Sequence, residues 1–303
     1  MTSTHPNTLN RQSTPFAYFY SLLSPMIARY HTTSLSISRK ITHQYSTSFS
    51  LGTRLLGRHQ RQAVYALYGF VRVADEIVDT FLEHDQARLL EEFKQQTAQA
   101  IQDGLSTNPV LHSFAQAVRE YNIKWEYIEA FFNSMACDLE REKHDRRSYD
   151  TYIYGSAEVV GLMCLQIFCE GDDAEFERLK EPARRLGAAF QKVNFLRDLR
   201  DDYQRLGRTY FPGAEVENFS EQTRHEIEAE IDADFQAALE GIRQLPASSR
   251  LGVLTAYMYY KALFRKIRSA STDELLSERI RIPNSRKMAL MVEGALRSRL
   301  NLI

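Results

Sequence analysis

From about Ser34 onward, apolar residues recur three or four positions apart, while strand-like alternation bounded by turn pairs is scarce. This spacing predicts helices near 34–45, 59–81, 85–103, 109–121, 124–143, 148–169, 174–205, 220–243, 247–268 and 285–300. The punctuation agrees. Ser106-Thr107-Asn108-Pro109 reads as a cap with proline in the first turn, Asp172-Asp173 caps a later helix, and Pro246 marks a restart. Pro182 falls inside a predicted helix and predicts a kink or break. No internal period of roughly 20–50 residues marks a repeat protein. The expectation is an all-α, single-domain helical bundle, and 303 residues at 44% hydrophobic content can bury one large core.

Residues 1–33 break the pattern: they are rich in Ser, Thr, Pro and His and lack acids. They are expected to be a poorly ordered N-terminal extension, leaving 34–303 as the folded domain. A transit-type or membrane-touching segment, or a true start at Met26, are the other readings.

Charge adds an asymmetry. No Asp or Glu precedes Asp75, whereas residues 1–74 hold eight Lys and Arg; the remainder, with 30 basic and 39 acidic residues, is −9. No Lys/Arg run of the nucleic-acid kind exists, so no nucleic acid partner is expected. Three cysteines without a CxxC pair argue against a disulfide framework or zinc site and for reduced, cytoplasmic thiols. No run of about 18 apolar residues predicts a spanning helix, and Val159–Phe168 reads as a buried helix.

The chemistry concentrates in two helical stripes. At about 100° per residue, Tyr68, Arg72, Asp75 and Asp79 fall within about 60° of one another, and Glu76 lies off that face. Ala66, Phe70, Val73 and Ile77 occupy the opposite side. Gln191, Asn194, Asp198 and Asp202 form the second stripe, with Gly187 and Ala188 keeping its upstream end open and Leu186, Ala189, Val193 and Leu196 behind it. Like charges stacked at this spacing destabilise a helix by a few tenths of a kcal/mol per pair, so a counter-charge is expected between them. Oxygen donors without His or Cys favour a hard cation, Mg²⁺ above all with Mn²⁺ as substitute, which typically shares one or two carboxylates with water and phosphate oxygens. Arg72 and Arg197 can then grip phosphate in bidentate fashion. A single such spacing among 39 acids is most often a solvated face; two, each with an arginine and an apolar back, point to a site.

These residues resemble the squalene/phytoene synthase family of head-to-head prenyl synthases, with its isoprenoid synthase fold around a central cavity. The first aspartate motif is matched by Asp75-Glu76-Ile77-Val78-Asp79 after Tyr68 and Arg72, the second by Asn194-Phe195-Leu196-Arg197-Asp198 through Asp202 to Arg208-Thr209-Tyr210. Tyr45–Ser50, Tyr152–Gly161 and Arg279–Lys287 match three further segments, so the resemblance spans about 34–300. It implies that Asp75, Asp79, Asn194, Asp198 and Asp202 hold Mg²⁺. Arg72, Arg197, Arg208 and Arg279 would hold the diphosphates, and Ser46, Ser48, Gln191, Ala157 and Gly161 would line the substrate. Tyr68, Phe49, Tyr152 and Tyr210 would face a carbocation. Two departures stand out: Glu158 sits where the family has a small or apolar residue, and Pro283-Asn284-Ser285 replaces a more basic run.

The implied reaction joins two prenyl diphosphates through a cyclopropyl diphosphate. The Tyr45–Gly52 and Gly69–Asp79 stretches look most like bacterial carotenoid-type members, which join two geranylgeranyl diphosphates into a C40 hydrocarbon without a nicotinamide cofactor. The chain also ends without the membrane anchor of squalene synthases. A C30 synthase using farnesyl diphosphate is the alternative; a class I terpene cyclase or a non-enzymatic assembly factor of the same fold stands further off. Greasy substrate and product make peripheral membrane contact reasonable. Oligomeric state is left open.

Overall fold

The computed structural model describes residues 25–140, 144–213, 219–277 and 279–299, and among these the architecture is helical without strands. In chain order the helices are α1 (Pro25–Tyr45), α2 (Thr47–Arg54), α3 (Arg58–Asp79), α4 (Gln86–Asp103), α5 (Pro109–Tyr121), α6 (Trp125–Glu140) and α7 (Arg146–Ile153). A π-helical turn (Tyr154–Glu158) links α7 to α8 (Val159–Cys169). Then come α9 (Asp173–Leu206), α10 (Glu221–Gln244), α11 (Ala247–Ser269), α12 (Thr272–Ser277) and α13 (Asn284–Arg299).

The caps are those the sequence announces. Asn108 Oδ1 accepts from the Val110 and Leu111 amides, and Asp172 Oδ1 from the Glu175 amide at 2.9 Å, each worth about 1 kcal/mol. Pro182 does not end α9, which runs through it for 34 residues; the ring packs against Gly241 of α10. The first helix starts at Pro25, nine residues before the expected domain boundary. In the stretch before Ser34 its one buried position is His31, so no apolar period marks the start of this helix in the sequence. The part of the predicted extension before Pro25, and the last residues of the helix predicted at 124–143, lie outside the described residues.

Two apolar cores flank the centre. One, around α3, α5, α6 and α8, is built on a Phe cluster in which Phe70 and Phe114 stack at 4.0 Å. The other joins α7, α9, α10 and α11 around Phe195, Phe235 and Phe264. The segment Arg146–Cys169 is long and apolar enough to cross a membrane, but 67% of its most apolar window is buried in the fold. It crosses α9 at unusually close range. A Cβ on Gly187 would lie 2.5 Å from the Ala157 carbonyl oxygen, and one on Gly161 2.7 Å from that of Ala183. Gly187 thus serves close helix contact and also lines the central cavity, whereas Ala188 is buried and does not line it. A cavity of about 450 Å³ lies between the two cores, and both contribute to its wall.

Candidate active site

The cavity has two chemically distinct ends. Phe49, Val160, Cys164, Phe168, Leu186, Phe190 and Leu245 give it an apolar interior, while Arg72, Asp75, Asp79, Asp138, Gln191, Asn194, Arg197, Asp198 and Asp202 form a polar end. Leu186, expected behind the second stripe, lines the cavity instead. Both stripes therefore reach one space: α3 brings Asp75 and Asp79, and α9 brings Asp198 and Asp202.

Charge compensation at this end is partial. Arg208, in the turn after α9, donates to Asp79 at 2.8 Å and to the Val78 carbonyl at 3.1 Å. Asp198 accepts from Arg197 Nε at 2.9 Å and lies 2.7 Å from Arg279 Nε. Arg72 donates to Glu76, stands 3.9 Å from Asp75 and stacks 4.4 Å over the Tyr45 ring. What remains is under-neutralised. Burial pushes the Asp75 carboxyl up to about 7, with Asp79, Asp138 and Glu76 adding repulsion against the pull of Arg72. Burial likewise lifts Asp202 to about 7, with Asp198 and Asp79 adding to it. Clefts that hold carboxylates this far from their ordinary range are characteristic of functional sites.

Asp138 was not anticipated from the sequence. Buried on α6, it accepts from Tyr152 Oη at 2.8 Å and Tyr210 Oη at 3.4 Å, with Arg208 at 3.8 Å. Burial drives its carboxyl up to about 7 despite these partners. A signal existed: Asp138 continues the face of Phe131 and Met135, an acid on an otherwise apolar stripe. Tyr260 was missed too; its hydroxyl donates to Asn194 Oδ1 at 3.4 Å and its ring stacks on Phe190 at 4.0 Å.

The aromatic wall is layered. Phe195 and Tyr210 stack at 3.9 Å, Tyr152 lies 5.3 Å from Tyr210, and Phe49 stacks on Tyr68 at 4.8 Å. Of the residues expected from the sequence, Arg72, Asp75, Asp79, Phe49, Tyr152, Ala157, Gly161, Gln191, Asn194, Arg197, Asp198, Asp202 and Tyr210 line the cavity. Tyr68 stands behind Phe49, bonded to Ser46, with its hydroxyl pushed up to about 12 by burial. Ser46 caps α2, its Oγ accepting from the Phe49 amide. Ser48 is half-buried on α2 and not part of the wall, while Arg208 and Arg279 act from outside it through Asp79 and Asp198. Glu158 also turns away: it pairs with Arg184 at 2.7 Å, so the unusual acid leaves the apolar pocket untouched.

Among the described residues, no three His, Cys, Asp or Glu side chains sit close enough to form a metal site unaided. An all-oxygen donor set with surplus negative charge, completed by ligand and water oxygens, nonetheless fits Mg²⁺.

Comparison with known proteins places the chain in a family. Over 302 aligned residues the chain is 30% identical to the 15-cis-phytoene synthase of Synechocystis sp., covering 86% of this chain and 84% of that one. It is 26% identical to the 4,4'-diapophytoene synthase of Staphylococcus haemolyticus over 270 residues, 82% and 91% of the two chains. A crystal structure of a dehydrosqualene synthase shares the fold with a TM-score of 0.77 at 20% identity, covering 91% of this chain and 99% of its own. Because the squalene/phytoene synthase model matches residues 42–286, most of the chain and both aspartate stripes, the protein belongs to that family of prenyltransferases and performs a head-to-head prenyl condensation.

Proposed function

We propose that the protein is a phytoene synthase, condensing two geranylgeranyl diphosphates through a cyclopropyl diphosphate to phytoene. One observation carries the chemistry: a single cavity joins an under-neutralised carboxylate end to an apolar, aromatic interior. The carboxylates suit a diphosphate carried with divalent cations, and the interior suits the prenyl chains.

Mg²⁺, or Mn²⁺ in its place, held by Asp75, Asp79, Asn194, Asp198 and Asp202 with diphosphate oxygens, would supply the charge that stabilises the leaving group. The chain's own arginines do the rest. Arg197, Arg208 and Arg279 pair with Asp198 and Asp79, and their guanidinium groups would be placed to meet diphosphate oxygens at the same end of the cavity. The faces of Phe49, Tyr152, Phe195 and Tyr210 offer π density to the allylic and rearranging cations. The apolar walls keep water from trapping those cations, and Asp138 holds the Tyr152 hydroxyl in one orientation. No reductant is required for this product.

The relative from Staphylococcus and the dehydrosqualene synthase structure favour a second reading, a C30 synthase using farnesyl diphosphate. Incubation with Mg²⁺ and either the C15 or the C20 diphosphate, followed by mass spectrometry of the hydrocarbon, separates them. The expected product is a C40 hydrocarbon from the C20 substrate; a C30 product from farnesyl diphosphate with nothing from the C20 substrate would replace the first reading by the second.

A further inference from the structure

Of the five carboxylates that line the cavity among the described residues, Asp138 alone stands on α6, outside both stripes. Both of its oxygens are engaged by tyrosines. Oδ2 accepts from Tyr152 of α7 at 2.8 Å, and Oδ1 accepts from Tyr210, beyond α9, at 3.4 Å. Arg208 Nη1 lies 3.8 Å from Oδ1 and donates to the Tyr210 hydroxyl at 3.4 Å and to Asp79 at 2.8 Å. The acid is 8% exposed, the two tyrosines 3% and 7%. Desolvating a carboxylate for two phenols and an arginine at that distance costs free energy, and a neutral amide would bridge the same helices for less.

The backbone at this point is held by other means. Ser134 Oγ donates to the Tyr152 carbonyl at 3.3 Å, and Gly155 lies against Ala130 and Ser134 of α6 too closely for a Cβ to fit. What Asp138 sets is therefore the direction of the side chains. With both hydroxyls drawn to one acid, the two rings lie 5.3 Å apart and close on Phe195, Tyr152 at 6.0 Å and Tyr210 at 3.9 Å. All three rings line the cavity. A phenol that donates to a carboxylate also gains electron density, and a richer π face attracts a cation more strongly.

We infer that Asp138 is a positioning residue of the condensation: by accepting a hydrogen bond from each hydroxyl, it aims the Tyr152 and Tyr210 rings at the carbocation and enriches their faces. It acts through the tyrosines, neither as a metal ligand nor as a direct counter-charge. The inference rests on the cation-facing role of these rings and holds for either prenyl chain length.

A double-mutant cycle on the full-length protein tests it, with Mg²⁺ and whichever of the C15 and C20 diphosphates the parent turns over. Asp138→Asn and Tyr152→Phe/Tyr210→Phe should each lower kcat about twentyfold, with KM and the Mg²⁺ requirement within about twofold of the parent. Combined, they should cost no more than either alone, because the acid then has no hydroxyl to hold. Calorimetry with a prenyl ammonium, a stable mimic of the cation, reads the same cycle without turnover. Its affinity should fall about tenfold in both variants and no further in their combination. Losses that multiply, in kcat or in ammonium affinity, would make Asp138 a direct counter-charge and overturn the inference. So would a raised Mg²⁺ requirement in Asp138→Asn alone, which would make it a metal ligand. Should Asp138→Asn fold poorly, Tyr152→Phe/Tyr210→Phe carries the test by itself, since it keeps the acid and both rings; parent kcat there would overturn the inference. Full kcat in Tyr152→Leu would remove the ring from the mechanism altogether, and the inference with it.

Discussion

On the outer face of α9, Lys192 meets Asp234 at 2.6 Å and also Glu230, while Arg185 reaches Asp234 at 3.2 Å and Arg146 of α7 reaches Glu230 at 2.9 Å. On the inner face of the same helix, Asp198 and Asp202 confront Asp79 across the cavity. Burial works against the carboxylate in both places. At Glu230 burial raises the pKa, but hydrogen bonds from Arg146 and Lys192 more than offset it and leave the group below its ordinary value. At Asp202 burial wins, joined by two further carboxylates, and the group sits near 7. The outer network is complete and holds α7, α9 and α10 together. The inner one is incomplete, so its carboxylates keep charge that their own arginines do not balance. Residue type does not separate the two; compensation does.

The contrast breaks most sharply at the inner face. Asp75→Ala or Asp198→Ala should lower turnover at least about a thousandfold, since the stabilisation of a leaving group is commonly the largest catalytic contribution. Helix content by circular dichroism should hardly change, and unchanged turnover in both variants would remove the stripes from the mechanism. On the outer face the ranking reverses. Lys192→Met leaves Asp234, 1% exposed, with Arg185 as its one ion-pair partner among the described residues, and should cost about 3 kcal/mol in urea denaturation. A loss well below that would mean the outer network is no more structural than the inner one.

A smaller effect carries the sign of the inner charges. Because the Asp202 pKa in the folded protein lies above its ordinary 3.8, its favourable contribution is fully present below that value and is lost as pH rises through about 7. Asp202→Asn should therefore stabilise the ligand-free protein at pH 8 by about 1 kcal/mol, a figure reduced for solvent in the cavity, and the gain should vanish near pH 4. Thermal melts of variant and parent at both pH values measure the difference. The subtraction matters because the buried His31–His112 pair, hydrogen-bonded at 2.7 Å and with lowered pKa values, favours the fold in the opposite pH direction. Destabilisation by Asp202→Asn at pH 8 would contradict the unbalanced charge. The smallest effect is expected at Glu158, which faces Arg184 rather than the pocket: Glu158→Ala should change stability by less than about 1 kcal/mol and leave KM nearly unaltered. A large change in KM would return this acid to the substrate wall.

Ten helices were legible because each runs far enough for an apolar stripe to repeat at the 3.6-residue period. Thr47–Arg54 and Thr272–Ser277 were not, being only 8 and 6 residues long. The start of α1 was hidden for a different reason: its inward face is polar, with His31 bonded to His112 and Ser38 to Ser113. In the site, the two stripes were visible as faces of single helices. Their partners were not. Asp138 lies on a third helix, and Arg208 reaches Asp79 from 129 positions away.

What the sequence determined alone is therefore local: the helical class, the faces of α3 and α9 that carry carboxylates, and the oxygen-only donor set. Periodicity and side-chain chemistry travel with a short stretch of chain, so they can be read without knowing its surroundings. The tertiary structure decided which acids are neutralised, that Leu186 faces inward and Glu158 outward, and that both stripes share one cavity with Asp138. Those outcomes follow from Coulomb interactions and desolvation, which depend on through-space distance and burial; helix packing sets both.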